Sequence, residues 1–348
     1  MVQLPAGLKV PRSPSSPAGI AVLAGATTPG APGHAGTGRM AGMTELMLTG
    51  EQYGLRAGDY EAAVTGLGAG LRLLTHGGRA LITSYRPDEL PPSGAGQLLA
   101  PWPNRVDGGR YEFGGRSCQL DLSEPANGNA IHGLTRWATW TPAGQSESAV
   151  TLRHVLLGSP GYPFCLELAA SYELDAGTGL QLTVTARNAG PVPAPYGTGS
   201  HPYLTAGPPL IDECELQLPA ARRLPADERG IPSGEPSDVT GTPLDFRQSR
   251  PIGRLSADDA LTGLARDEAG RAWARLAGPE LTVALWAGPG YDWLQVFTGD
   301  ALSPARRRRA LAIEPMTCPA NAFVTGTGLL TLQPGGTVSH SWGIRVLP

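Results

Sequence analysis

The chain has 348 residues, 41% of them hydrophobic and 16% charged, with a formal net charge of −3. That hydrophobic share can build a sizeable core, the charge balance offers no basic surface for nucleic acid, and no apolar run approaches the ~20 residues that span a bilayer. Gly (48) and Pro (34) make up nearly a quarter of the sequence, which argues against a helical protein because both residues interrupt helices.

Residues 1–42 differ from the rest. PRSPSSPAG and ATTPGAPGHAGTG hold little to bury and read as a disordered, low-complexity leader. A signal peptide is the rival reading, but its apolar stretch, Ala18 to Ala26, contains Gly19 and Gly25 and is flanked by prolines. A start at Met40 or Met43 is a further alternative. Residues 43–348 are then one domain. Lys9 is the sole lysine, so the folded part offers neither a lysine nucleophile nor a P-loop lysine. Cys118, Cys165, Cys214 and Cys318 are scattered, without zinc-ligand spacing. Such thiols fit a reducing, cytoplasmic compartment better than a disulfide scaffold.

Beyond the leader the dominant period is two. LRLLTHGGRALI reads as a hairpin turning at Gly77-Gly78. In Gly179–Asn188, Leu180, Leu182, Val184 and Ala186 alternate with Gln181, Thr183, Thr185 and Arg187, the pattern of a half-buried antiparallel strand. Leu281, Val283 and Leu285 repeat it, as do Val338, His340, Trp342, Ile344 and Val346. The best helix candidate is Ala257 to Ala272, interrupted by Gly263 and Gly270. The expected fold is all-β, a large antiparallel sandwich of about 300 residues.

Four segments stand apart from ordinary strand and turn material. LAPWPNRVDGG brackets Trp102 with prolines and presents Asn104 and Arg105, either as a surface turn or as a rigid loop directed at hydroxyl groups. NAIHGLTRW carries His132, and PYGTGSHPYL carries His201 before Pro202 and Tyr203; each histidine is either a turn anchor or a proton-transfer group. ALAIEPMTCPANAF places Glu314 at the end of an apolar run, where a carboxylate is costly to bury unless used or paired. An edge residue already in water is its bland alternative; a raised pKa would suit it to general-base work.

Together PWPNR, IHG, GSHPY and IEPMTCPANAF, in this order and spacing, resemble the aldose 1-epimerase (galactose mutarotase) family from about residue 48 onward. The resemblance implies a β-sandwich of the galactose mutarotase-like type. It implies His201 as the general acid at the ring oxygen and Glu314 as the general base at the anomeric hydroxyl. His132 corresponds to a second active-site histidine, and Arg105, with Asn104 beside it, to the group that binds sugar hydroxyls. The family's sugar-binding aspartate maps onto LSADDALTGL, with Asp258 the better fit, Leu261 replacing an aromatic residue, and Asp259 the alternative. Cys-Pro-Ala-Asn departs from the more usual Pro-Pro-Asn, and EPMT with PWPNR is closer in wording to the bacterial branch than to animal galactose enzymes.

Anomers interconvert through ring opening, rotation about C1–C2 and closure on the other face. One acid and one base suffice, so neither metal nor other cofactor is expected. Trp102, Tyr203 and Trp286 are candidates for an aromatic platform under the sugar, with Tyr203 carried as a substrate-binding residue; each is equally a candidate for core packing. Arg306 to Arg309 reads as a solvated loop, with a sugar-phosphate contact as the sharper alternative, and His340 reads as structural. The expected partner is a small-molecule sugar, with no nucleic acid and no membrane. The expected activity is mutarotation of a free hexose. The alternatives are a hexose-phosphate epimerase, a non-catalytic carbohydrate-binding protein, and a glycosidase, which would need two carboxylates and leave the histidines unexplained.

Overall fold

A computed structural model describes residues 47–207 and 210–347. The leader expected over residues 1–42 lies outside them. Two large antiparallel sheets dominate. One has nine strands, in the spatial order Thr141–Gln145, Ala149–Leu156, Leu166–Asp175, Gly179–Asn188, Thr337–Leu347, Thr282–Ala287, Ala272–Ala277, Glu215–Gln217 and Arg250–Pro251. The second has eight, in the order Ser237–Asp238, Ala220–Leu224, Asp258–Leu264, Trp293–Phe297, Leu311–Met316, Gly199–Ser200 and Leu98–Leu99, with Tyr203–Leu204 also pairing with Leu311–Met316. A four-stranded meander over Gln52–Ala80 contains the expected hairpin, with Gly77 and Gly78 both at positive φ.

Alternation explains the nine-stranded sheet. Leu180, Leu182, Val184 and Ala186 are buried, while Gln181, Thr183 and Thr185 are half-buried and Arg187 is exposed. The outward face is finished with paired hydroxyls: Thr183 with Ser341 at 2.8 Å, Thr185 with Ser339 at 2.8 Å and Thr151 with Ser171 at 3.0 Å. The inward faces share a core that includes Trp140, Tyr172, Trp342 and Ile344. The two sheets are also joined by a polar contact, because Trp342 donates its indole N–H to Ser200 Oγ at 3.0 Å.

Two expectations need correction here. Residues 257–272 are not helical; Asp258–Leu264 is a strand of the eight-stranded sheet, and the chain turns before the strand Ala272–Ala277. Gly263 and Gly270 sit at φ 68° and 75°, conformations no right-handed helix contains. Nor is the arginine run wholly solvated. Arg308 is buried, its guanidinium bonding Asp212 and Asp300 and the carbonyls of Gly253 and Leu255. His340 is buried against Tyr291, as a structural residue would be.

Candidate active site

The central strands of the eight-stranded sheet form the floor of a cleft of about 480 Å³, within the size range of small-molecule sites. All six residues of Leu311–Met316 are buried, so Glu314 is carried into the interior by its neighbours' apolar side chains. Its Oε1 lies 3.2 Å from His201 Nε2. His201 follows the short strand Gly199–Ser200, and its backbone is held on both sides: its N–H donates to Gln97 O at 3.1 Å, and its carbonyl accepts from Gly96 N at 2.9 Å. Tyr203 stacks on the imidazole, ring centroids 4.8 Å apart and planes 19° apart, and donates its hydroxyl to Ser93 O at 3.2 Å.

His132 meets His201 edge to face at 5.4 Å. It occupies the left-handed region at φ 62°, as does Asn104 at φ 55°. The two are tied together: His132 N–H donates to Asn104 O at 2.8 Å, and Asn104 N–H donates to His132 Nδ1 at 3.2 Å. A ring nitrogen that accepts a backbone hydrogen bond carries no proton, so the neutral tautomer of His132 bears its proton on Nε2.

The remaining polar groups form a chain across the floor. Asn104 Nδ2 donates to Gln295 Oε1 at 3.1 Å, and Gln295 Nε2 donates to Asp258 Oδ1 at 2.7 Å. Gln295 is the direct cross-strand partner of Glu314. Arg105 grips Glu124 through two hydrogen bonds of 2.9 Å, so its guanidinium is oriented before any ligand arrives. Asp258 lines the cleft, whereas Asp259, its neighbour on the strand, points away to Arg223 at 3.1 Å. Strand alternation requires that separation, and it leaves Asp258 as the one of the two that faces the cleft.

His132, His201, Glu314, Asn104, Arg105, Asp258 and Tyr203 therefore all line one cleft. The expected platforms Trp102 and Trp286 do not. Trp102 is buried against Phe323 at 5.3 Å, and Trp286 packs in the nine-stranded sheet beneath the Arg271 guanidinium. The exposed aromatic of the cleft is Trp137, which sequence reasoning quoted within NAIHGLTRW without assigning it, and Gln295 was missed altogether. No local motif surrounds Gln295; only the register against Glu314 points to it.

Burial governs the electrostatics. It pushes the Glu314 carboxyl well above the usual carboxylate range, the Asp258 charge adds to this, and Arg105 offsets part of it. Burial lowers His201 to about 3, with Arg136 acting in the same direction. His132 is also pushed well below its ordinary value, by burial and then by His201, Arg136 and Arg105. The site thus disfavours both an ionised Glu314 and a protonated His201, and the two are close enough to share one proton.

The sequence profile described as Aldose 1-epimerase matches residues 51–345. An Escherichia coli K12 protein, uncharacterized protein YihR, is 36% identical over 294 residues, 84% of this chain and 92% of that one. Human galactose mutarotase is 30% identical over 174 residues, about half of each chain. Among solved structures, the GalM/aldose epimerase homologue from C. elegans superposes with a TM-score of 0.75 at 17% identity, covering 85% of this chain and 98% of that one. Galactose 1-epimerase from Lactobacillus acidophilus NCFM gives 0.70 at 22% identity, covering 84% and 92%. These two likenesses establish the shared fold, a large antiparallel sandwich, and the profile spans nearly all of the described chain. The chain belongs to the aldose 1-epimerase family.

Proposed function

We propose that the protein interconverts the α and β anomers of an aldopyranose by acid–base ring opening. The observation that carries this is the buried contact between His201 and Glu314 on the floor of a polar cleft. Glu314 takes the proton of the C1 hydroxyl as that oxygen becomes the aldehyde carbonyl. The C1–O5 bond breaks, and His201 delivers a proton to O5. Rotation about C1–C2 presents the other face of the carbonyl, and closure runs the same transfers in reverse.

One proton serves both groups. Glu314 is ionised and His201 protonated before opening; both are neutral after it. Burial disfavours both charges, so opening is the direction in which the pair loses its unfavourable charges. Asp258 and Arg105 accept from and donate to sugar hydroxyls, and Asn104 aligns both His132 and Gln295. Trp137 offers an exposed ring to the apolar C–H face of a sugar.

The test is the rate at which freshly dissolved α-D-glucose, α-D-galactose, D-glucose 6-phosphate and D-glucuronate approach anomeric equilibrium, by polarimetry or NMR exchange. Acceleration of one or more sugars should fall by 10²–10⁴-fold in Glu314→Gln, which keeps shape and removes the base. No acceleration of any of the four, or full activity in Glu314→Gln, would sink the proposal and favour a carbohydrate-binding role.

A further inference from the structure

Every charged side chain lining the cleft has a polar side-chain partner among the described residues, with one exception. Arg105 is neutralised by Glu124, Glu314 is in contact with His201, and Asp258 accepts from Gln295. Arg136 lines the same cleft, and among the described residues its guanidinium meets no carboxylate and makes no hydrogen bond. Its nearest aromatic neighbour is Trp137, whose ring centre lies 5.3 Å away. Arg308, the guanidinium buried elsewhere in the fold, grips two carboxylates. The position of Arg136 is fixed from behind, because its carbonyl accepts the Gln97 amide N–H at 3.0 Å, and Gln97 in turn holds the backbone of His201. Arg136 is half-buried, and drawing a guanidinium even partly out of water without a counter-charge costs free energy that an anion bound in the cleft would recover.

Asp258 and Arg136 also sit toward different ends of the catalytic pair. Asp258 acts on Glu314, while Arg136 acts on both histidines; Arg105 reaches both Glu314 and His132, and Glu124 lies within electrostatic reach of Arg136. An anionic group therefore has one favourable place to sit, at the histidine side, away from Asp258. We propose, resting on the aldose 1-epimerase reading, that Arg136 binds an oxyanion carried by the sugar, so that the substrate is an aldose bearing a phosphate or a carboxylate. A planar guanidinium with all its donors free suits either group through paired hydrogen bonds.

The experiment compares kcat/KM for D-glucose, D-glucose 6-phosphate and D-glucuronate in the wild-type protein, Arg136→Gln and Arg136→Lys, by NMR exchange at equilibrium. At least one anionic sugar should exceed D-glucose by tenfold or more in the wild type. Its advantage should fall roughly 10- to 100-fold in Arg136→Gln, the worth of a charge-assisted contact, and by less in Arg136→Lys, which keeps the charge. Which anionic sugar leads tells phosphate from carboxylate. A wild-type preference for D-glucose over both anions would overturn the anion site and leave the epimerase reading standing, as would equal losses on all three sugars in Arg136→Gln. Failure to accelerate any sugar would overturn both.

Discussion

Replacing His201 by asparagine should remove a defined part of the protein's acid sensitivity. An exposed histidine titrates near 6.5, and in the fold His201 is lowered to about 3. A folded value below the unfolded one means that the unfolded chain binds the extra proton, so stability from this group is complete above pH 6.5 and is lost as pH falls toward 3. At ~1.4 kcal/mol per unit, the loss between pH 7 and pH 4 is on the order of 3 kcal/mol, a large share of an ordinary folding free energy. His201 is only 5% exposed, so solvent screening removes little of this. Glu314 acts in the opposite sense over an overlapping window: its raised value gives stability that is complete below pH 4.5 and lost as pH rises through the folded value, so it offsets His201 in the wild-type curve and the comparison with the variant is what isolates the histidine. The assay is urea unfolding of the wild-type protein and His201→Asn at pH 7, 6, 5 and 4 at matched ionic strength. The difference in unfolding free energy should move by about 3 kcal/mol in the variant's favour between pH 7 and pH 4. Parallel stability curves would refute the claim that burial lowers the His201 pKa in the folded protein.

Gln295→Ala should lower stability by about 1–3 kcal/mol in thermal or urea unfolding, because it strands the Asn104 amide and withdraws the hydrogen bond from Asp258. It should also raise KM more than it lowers kcat, since Asp258 is assigned to sugar hydroxyls and not to proton transfer. Gly94→Ala should cost about 1–2 kcal/mol for its left-handed backbone at φ 77°. Its new Cβ would stand 3.0 Å from His201 Cδ2, so kcat should fall with it; unchanged kcat would show that the imidazole has room to move.

Much of the sandwich is written as alternation, and Gly179–Asn188 carries it without interruption. Alternation fails as a guide where the side chains are small. Residues 257–272 are rich in Ala and Leu and read as a weak helix, yet their fate is decided by pairing with Trp293–Phe297 and by two glycines at positive φ. The seven residues singled out for the site come together because each lies in a segment with its own local signature. Gln295 has no such signature, and its importance arises from a register spanning strands far apart in sequence. Trp102 misleads for a related reason: prolines on both sides make its loop rigid, but rigidity does not say whether the ring turns outward to a ligand or inward to Phe323. Adjacent aspartates are indistinguishable in composition, and only the pleat separates Asp258 from Asp259.

The strand Thr337–Leu347 is the fifth of nine in its sheet, bonded to Gly179–Asn188 on one side and Thr282–Ala287 on the other, and Trp342 reaches from it to Ser200 beside His201. The strand that closes the middle of the sheet is thus the last of the described strands in chain order. Until it arrives, the two halves of the sheet have no common neighbour, and the segment bearing His201 lacks its anchor from the opposite layer. Folding of this domain is consequently committed only once Thr337–Leu347 has been made, and shorter nascent chains carry open strand edges in the meantime, the situation in which chaperone protection matters most.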